Sequence, residues 1–401
     1  MSPDTRETTM ARTTTPGTPA LMRAINDRAG LEILLDRQPL SRIQLAELSS
    51  VSKPTASQMV RRLENAGLVT TVGKVSSTSG PATSLYGVRA DRVLGVAIDV
   101  RADRSLARVV DAVGGDHPTA ETARAVGTAA TAGAELRAAV EAACQAADVD
   151  VDSVQAISVG LQASVSPRDD RLYLPHRLDF WPTTGTRALL EAELGWAVEL
   201  HNDANLAAVA ERAAGAGRGA ESFALLWLGG GLGFAVDIGG RILNGSRGAA
   251  GEIGQLRLPG EAIGQGGAVV LDDALDRSVL VAMADRHGIR AAPGELADAL
   301  RDHPARIGLF AELAPRVALA IPSALAVLDP ELVILGGPIG AAGGTLLASL
   351  VEECVAREVG STPTVVCAGV TDDPVLAGAR HLLTGVIRSR LLDAAGSHVP
   401  G

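Results

Sequence analysis

Aromatic residues are almost missing from this chain. Phe, Trp and Tyr make up 2% of 401 residues, so the core has to be built from Ala, Val, Leu and Ile. Cysteine is also rare. The three cysteines, Cys144, Cys354 and Cys367, are far apart and form no CxxC pair. That excludes a disulfide framework and fits a reducing cytosol. The first residues hold Thr, Pro and Arg but no apolar core of a secretion signal. No run approaches the roughly 20 apolar residues of a membrane span. The nearest, Leu313–Leu328, is interrupted by Pro315, Arg316 and Pro322. A cytoplasmic protein with no membrane partner is expected.

Hydrophobic residues make up 47%, ordinary for a soluble globular protein. The length allows two or three domains. The net charge of −10 is unevenly spread. Residues 1–90 hold 11 basic and 7 acidic side chains, while the remainder holds 25 and 39. A basic front on an acidic body suggests a nucleic-acid-binding head.

Residues 1–19 are polar and rich in Thr and Pro, which reads as a disordered tail. From Ala20 a helical stripe follows, through Leu21, Ile25, Leu31, Ile33, Leu34 and Leu35. Ser41 then caps a short helix with Ile43, Leu45, Ala46 and Leu48 facing inwards. A second helix opens at Ser52, with Pro54 in its first turn, where a missing N–H costs nothing. Ala56, Met59, Val60 and Leu63 are spaced for burial, and Gly67 ends the helix. The pair reads as a helix-turn-helix within residues 20–90.

Ser52, Lys53, Thr55, Gln58, Arg61 and Arg62 fall on its exposed side. Short polar groups reach base edges, and Arg and Lys meet phosphates. One of Arg61 and Arg62 must point partly away from DNA. Leu68–Lys74 and Thr83–Val88 flank a Ser/Gly/Pro turn, Ser76–Pro81, and read as a β-hairpin wing on which Lys74 reaches a backbone phosphate. The alternative is a helical pair used for protein contacts alone. Basic charge beside a wing favours operator DNA as partner.

Residues 91–401 alternate strands and helices, an α/β pattern. Strands are expected at Val93–Asp99, Ser105–Asp111, Val154–Val159, Ala197–Leu200, Phe223–Leu228, Gly233–Ile238, Leu332–Leu335 and Thr364–Cys367. Helices are expected at Ala120–Ala147, from Ala204, up to Asp329, and over Pro374–Leu392. The hairpins at 93–111 and 223–238 share length and layout, so two lobes of similar plan around a cleft are inferred. The cleft is marked by Gly229-Gly230-Gly231 after an apolar strand, then by Glu252 between glycines about twenty residues later. Glycines there let backbone amides approach a ligand. The alternative is a plain glycine-rich hairpin.

The segment Gly231–Gly254 ending in Gly-Glu-Ile-Gly, His-Asn-Asp-Ala-Asn at 201–205 and Asp329–Gly337, with the winged helix ahead of them, resembles the ROK family of repressors and sugar kinases. The resemblance covers nearly the whole chain from Ala20 and implies an actin-like, two-lobed sugar-kinase fold. In the family's kinases the positions matching Asn202 and Asp203 hold sugar hydroxyls, the Asp acting as general base, and the match to Glu252 also contacts sugar. A carboxylate suits that task, because it accepts and orients a hydroxyl proton. The alternative is that Asn202 and Asp203 merely cap the next helix.

Departures from the family pattern set the functional expectation. Its first phosphate loop is Asp-x-Gly-Gly-Thr, whereas this chain has Asp99-Val100-Arg101-Ala102-Asp103. Side chains replace the glycine cradle, and Asp103 repels a triphosphate. Gly230 stands where the kinases place Thr. ATP binding is therefore not expected, nor is kinase activity. The family's zinc site is also replaced. Gln255 stands for its His, and Ile263–Val270 has no cysteine, so no zinc is expected. Asp272 replaces a sugar-binding Glu, and Gly160-Leu161-Gln162-Ala163 alters the sugar-lobe turn.

The expectation is a sugar-responsive transcription regulator, a repressor of carbohydrate genes. It would work as a homodimer or homotetramer with a sugar or sugar-phosphate effector held by Asn202, Asp203, Glu252, Gln255 and Asp272. The alternatives are an ATP-dependent sugar kinase carrying a DNA-binding head, and a regulator answering to a protein partner.

Overall fold

A computed structural model describes residues 19–77, 80–124, 131–173, 180–229, 231–264, 266–292, 294–359 and 364–397. The expected tail up to residue 18, the tip of the wing turn at 78–79, and Gly230 lie outside them. The chain forms two units. One runs up to Arg92 and takes back the stretch from Arg388; the other is Val93–Ile387.

The first unit follows the order α1 (Pro19–Arg37), β1 (Leu40–Ser41), α2 (Arg42–Leu48), α3 (Lys53–Asn65), β2 (Val69–Ser77), β3 (Gly80–Val88). Ser41 starts α2 with a full capping box: its side chain accepts from the Gln44 amide while Gln44 returns a bond to the Ser41 amide. Ser52 caps α3 by accepting from the Thr55 amide. Gly67, at φ +69°, turns the chain into the wing. The three strands pair in the order β1-β3-β2, a winged helix. Leu31, Leu34, Leu45, Met59 and Leu63 are fully buried. Each contributes about 1.5–3 kcal/mol by leaving water. Ile43 and Leu48, expected to face inwards, are 47% and 40% exposed, and Leu21 and Ile25 are more than half exposed. The spacing therefore overstates how many apolar positions of α1 and α2 find a facing partner within this unit.

The second unit begins with β4 (Leu94–Val100), β5 (Arg104–Val110), β6 (Thr119–Ala123), α4 (Ala132–Ala147), β7 (Val154–Leu161), β8 (Ser164–Val165), β9 (Leu172–Tyr173), α5 (Thr186–Leu194), β10 (Ala197–Asn202) and α6 (Asp203–Ala214). It continues with β11 (Ser222–Leu228), β12 (Leu232–Ile238), β13 (Arg241–Ile242), β14 (Arg257–Pro259), β15 (Ala268–Val270), α7 (Leu271–Leu275), α8 (Arg277–Arg286), α9 (Leu296–Arg301), α10 (Arg306–Ala318), α11 (Ile321–Leu328), β16 (Leu332–Gly336), α12 (Gly337–Val359), β17 (Thr364–Cys367) and α13 (Pro374–Ser397), of which the residues from Arg388 are counted with the first unit.

Two five-stranded sheets result, β10-β7-β4-β5-β6 and β13-β12-β11-β16-β17. The echo between the two hairpins is real. β4–β5 and β11–β12 are both antiparallel, and β4 and β11 then pair in parallel with β7 and β16. Two differences from the sequence reading stand out. The single helix expected over Ala120–Ala147 is strand β6 followed by α4, because Thr119–Ala123 completes the edge of the first sheet. The long helix before Asp329 is two, α10 and α11, with Pro322 in the first turn of the second.

With few aromatics, the core layers are aliphatic around Phe223 and Phe310, both fully buried. By length and composition α12 could cross a membrane, as could α10 and α11 taken as one bent pair. Leu347, Val351 and Val355 of α12 are instead buried in the second lobe's core.

Candidate functional site

On α3, Ser52, Lys53, Gln58 and Arg61 are exposed, and Thr55 is half-buried. The Ser52 hydroxyl lies 2.8 Å from that of Thr55, which fixes both at the helix start. Lys74 is exposed on β2, paired with Ser84 of β3. Arg62 departs from this face. Its Nε and terminal nitrogen donate to Asp27 of α1 at 2.7 and 2.6 Å, and Asp27 is only 6% exposed. That hydrogen-bonded carboxylate raises the Arg62 pKa further. Arg62 therefore pins α3 to α1, and Arg61 keeps the outward position. The local pattern could not reveal this, because the partner lies 35 residues away.

The cleft of the second unit forms where β4, β7 and β10 end side by side. Asp99 registers with Gly160, and Asn202 with Leu161. Carboxyl ends of parallel strands are the usual ligand position in α/β sheets. β10 belongs to the first sheet, whereas α6 packs its alanines against Phe223 and Leu225 of the second. The dipeptide between them thus sits where the chain crosses from lobe to lobe.

Asn202 caps α6. Its Oδ1 accepts from the Asn205 amide at 3.0 Å and its Nδ2 donates to the Ala163 carbonyl at 3.2 Å. Asp203 is half-buried, and one carboxylate oxygen accepts from the Ala204 amide at 2.8 Å. Burial pushes its carboxyl up to about 7; the Ala204 amide opposes this, and the Asp99 and Glu252 carboxylates add to it. Glu252 accepts a short hydrogen bond from the Ser164 hydroxyl of β8, across the cleft. Asn205 donates to the Asn244 side chain at 3.1 Å.

The loop carrying Glu252 needs its glycines. At Gly248, φ +75°, a Cβ would lie 1.9 Å from the Val165 carbonyl oxygen; at Gly251, φ +90°, it would lie 2.2 Å from that of Phe234. Asp272 accepts from the Leu232 amide at 3.3 Å and lies beside Gly254. Gln255 is exposed at the end of a single helical turn.

Of the expected ligand residues, the fold brings Asp203 and Glu252 together, while Asp272 is engaged with the Leu232 amide beside Gly254. Asn202 is engaged at both ends of its amide. Ser164, Asn205 and Asn244 join the site without having been anticipated. Ser164 has no local signature, and its partner lies 88 residues on.

Arg101 decides what the first loop can hold. Its Nε donates to Asp99 at 2.8 Å and its terminal nitrogen to Asp373 at 2.6 Å. Burial pushes Asp99 up against the pull of Arg101. A guanidinium braced between two carboxylates occupies the turn where a phosphate cradle would need bare amides. Zinc does not fit either. Gln255 offers no imidazole, and the β14–β15 segment offers no thiolate.

The solved structure of a ROK family transcriptional regulator, a homolog of E. coli MLC protein, superposes with a TM-score of 0.64 at 19% identity, over 94% of this chain and 98% of that one. A ROK family glucokinase from Streptomyces griseus, solved with glucose and AMPPNP, gives 0.59 at 24% identity, over 72% and 98%. Both are likenesses of fold. The glucokinase of Halalkalibacterium halodurans is 29% identical over 211 residues, 48% of this chain and 64% of that protein. The chain thus spans less than two thirds of that relative's length. A MarR family model matches residues 28–72, and the ROK family model matches residues 96–385. This chain belongs to the ROK family.

Proposed function

We propose that the chain is a DNA-binding transcription regulator, a repressor of carbohydrate genes. Its ROK unit senses a small polyol and transfers no phosphate. The observation that carries this is the Asp99–Arg101–Asp373 bridge. Phosphoryl transfer depends on positioning and electrostatic stabilisation of the phosphates. A side-chain salt bridge in the first loop supplies neither.

The remaining carboxylates suit hydroxyl groups. Asp203 keeps an oxygen open, and Glu252 is held by Ser164, so several hydroxyls find acceptors once desolvated. Lys53, Arg61 and Lys74, with Ser52, Thr55 and Gln58, form the DNA-reading face. A two-fold assembly bound to a palindromic operator in the cytoplasm completes the reading. Effector binding shifts DNA affinity only if it favours one lobe arrangement.

One observation favours the kinase alternative: a carboxyl near 7 is a competent general base. A coupled ATP-turnover assay over a panel of hexoses and pentoses decides. Regulation predicts no turnover, with thermal stabilisation by at least one sugar. Sugar-dependent ATP consumption would overturn the proposal.

A further inference from the structure

Within the second unit, the two faces of the first sheet are covered by different helices. Ala107 and Val109 of β5 share a core with Leu136, Ala139 and Val140 of α4. Side chains alternate along a strand, so Arg108 points to the opposite face. α13 covers that face. Gly95 of β4 pairs with Val110, and a Cβ on Gly95 would lie 2.8 Å from a Leu383 methyl. A Cβ on Gly160 of β7 would lie 2.6 Å from a Val375 methyl. Arg380 stands about one turn before Leu383, in the part of α13 that belongs to this unit. Two guanidiniums therefore come close between β5 and α13.

Neither is well neutralised. Arg108 donates to Asp116, whose side chain is 93% exposed. Such a pair holds little energy. The Arg108 Nε is buried and has no hydrogen-bond partner. Arg380 is half-buried, and its guanidinium has no ion pair among the described residues. Burial lowers its pKa and Arg108 lowers it further, against the pull of Asp116 and Asp111. Asp111 is committed elsewhere. One of its oxygens accepts from the Val113 and Gly115 amides at 2.8 and 3.0 Å, and a His117 ring nitrogen meets the other at 2.9 Å. Like charges held together on a partly buried surface cost free energy until an anion joins them.

We propose that Arg108 and Arg380 form a binding site for a small oxyanion of the phosphate class. A phosphate offers separate oxygens to two planar forks. It takes the place of Asp116 on Arg108 and gives Arg380 the partner it lacks. The site is distinct from the cleft. Asp99 pairs with buried Leu106, and Arg108 is the next residue of β5 on that face, a step farther from the cleft. The proposal makes no use of Asp203 or Glu252, so either reading can fail alone.

Thermal unfolding of the full chain tests it, with inorganic phosphate exchanged against chloride at constant ionic strength. Wild type should gain stability as phosphate rises. Arg380→Gln and Arg108→Gln should each weaken the apparent affinity about tenfold, through lost charge-assisted contacts. Arg380→Lys, which keeps the charge but not the fork, should recover part of it. In chloride alone Arg380→Gln should melt no lower than wild type, because it removes a half-buried charge without a partner; its lost response is then not a loss of fold, and it serves alone if the Arg108 variant folds poorly. Glycerol 3-phosphate separates the sources: an equal response assigns the site to the phosphate group of a metabolite, and a response to inorganic phosphate alone assigns it to the free ion. No phosphate-dependent gain in wild type, or the same gain in both glutamine variants, would overturn the proposal.

Discussion

Replacing Asp203 by Asn removes a titrating charge from the point where the two lobes meet. The wild-type carboxyl has been pushed from 3.8 to about 7, chiefly by burial. A raised acid binds protons more tightly in the folded state than in the unfolded one. Stability therefore falls as pH rises from about 4 to about 7, and the full cost persists above. Three units at 1.36 kcal/mol each set a ceiling of about 4 kcal/mol at pH 8. The side chain keeps part of its surface open to the cleft, so about 2 kcal/mol is the working figure. For a unit of this size that shifts the midpoint by about 4 °C.

Asp203→Asn should thus melt about 4 °C higher than wild type at pH 8. The gain should shrink to less than half by pH 5 and vanish near pH 4. Differential scanning calorimetry across this range measures it. Equal melting at pH 8, or a gain that does not vary with pH, would refute the burial and charge crowding assigned to this carboxyl.

Other variants separate the roles of neighbouring residues. Lys53→Ala with Arg61→Ala should weaken DNA binding and lower the salt slope by about one per lost phosphate contact, read by fluorescence anisotropy at several salt concentrations. Arg62→Ala should instead destabilise the first unit by about 2–3 kcal/mol, because buried Asp27 loses its partner; denaturant unfolding reports this. Gly248→Ala should cost more than 1 kcal/mol and blunt any effector response, since its φ and the Val165 carbonyl both refuse a Cβ. Ser164→Ala should weaken effector binding measured by calorimetry, because Glu252 loses the hydroxyl that holds it across the cleft.

Much of the fold could be read in the sequence because its signals are local. Ser41 and Ser52 act within three residues, and Gly67 ends α3 by its own backbone conformation. The two hairpins repeat within the span of a single strand pair, so the lobe plan was visible. What the sequence hid depends on distant partners. Arg62 looks like a phosphate contact until Asp27 arrives from α1. Arg101 looks like a simple loss of glycine until Asp373, 272 residues away, completes its bridge. Asn202 is used up by its own helix and by Ala163, while Ser164 enters the site through pairing of β8 with β9. β6 was masked by alanine and glutamate, which suit a helix locally but close the sheet edge here.

The account stands or falls on whether occupancy of the cleft controls DNA binding without chemistry at phosphorus. The direct measurement uses a duplex selected by the protein itself from random sequence. The bound complex is titrated with a panel of uncharged sugars, for wild type and Asp203→Ala. The account predicts release of wild type by at least one sugar, equal ligand-free affinity of both proteins, and no release of the variant. Release of both proteins alike, or of neither by any sugar, would contradict it.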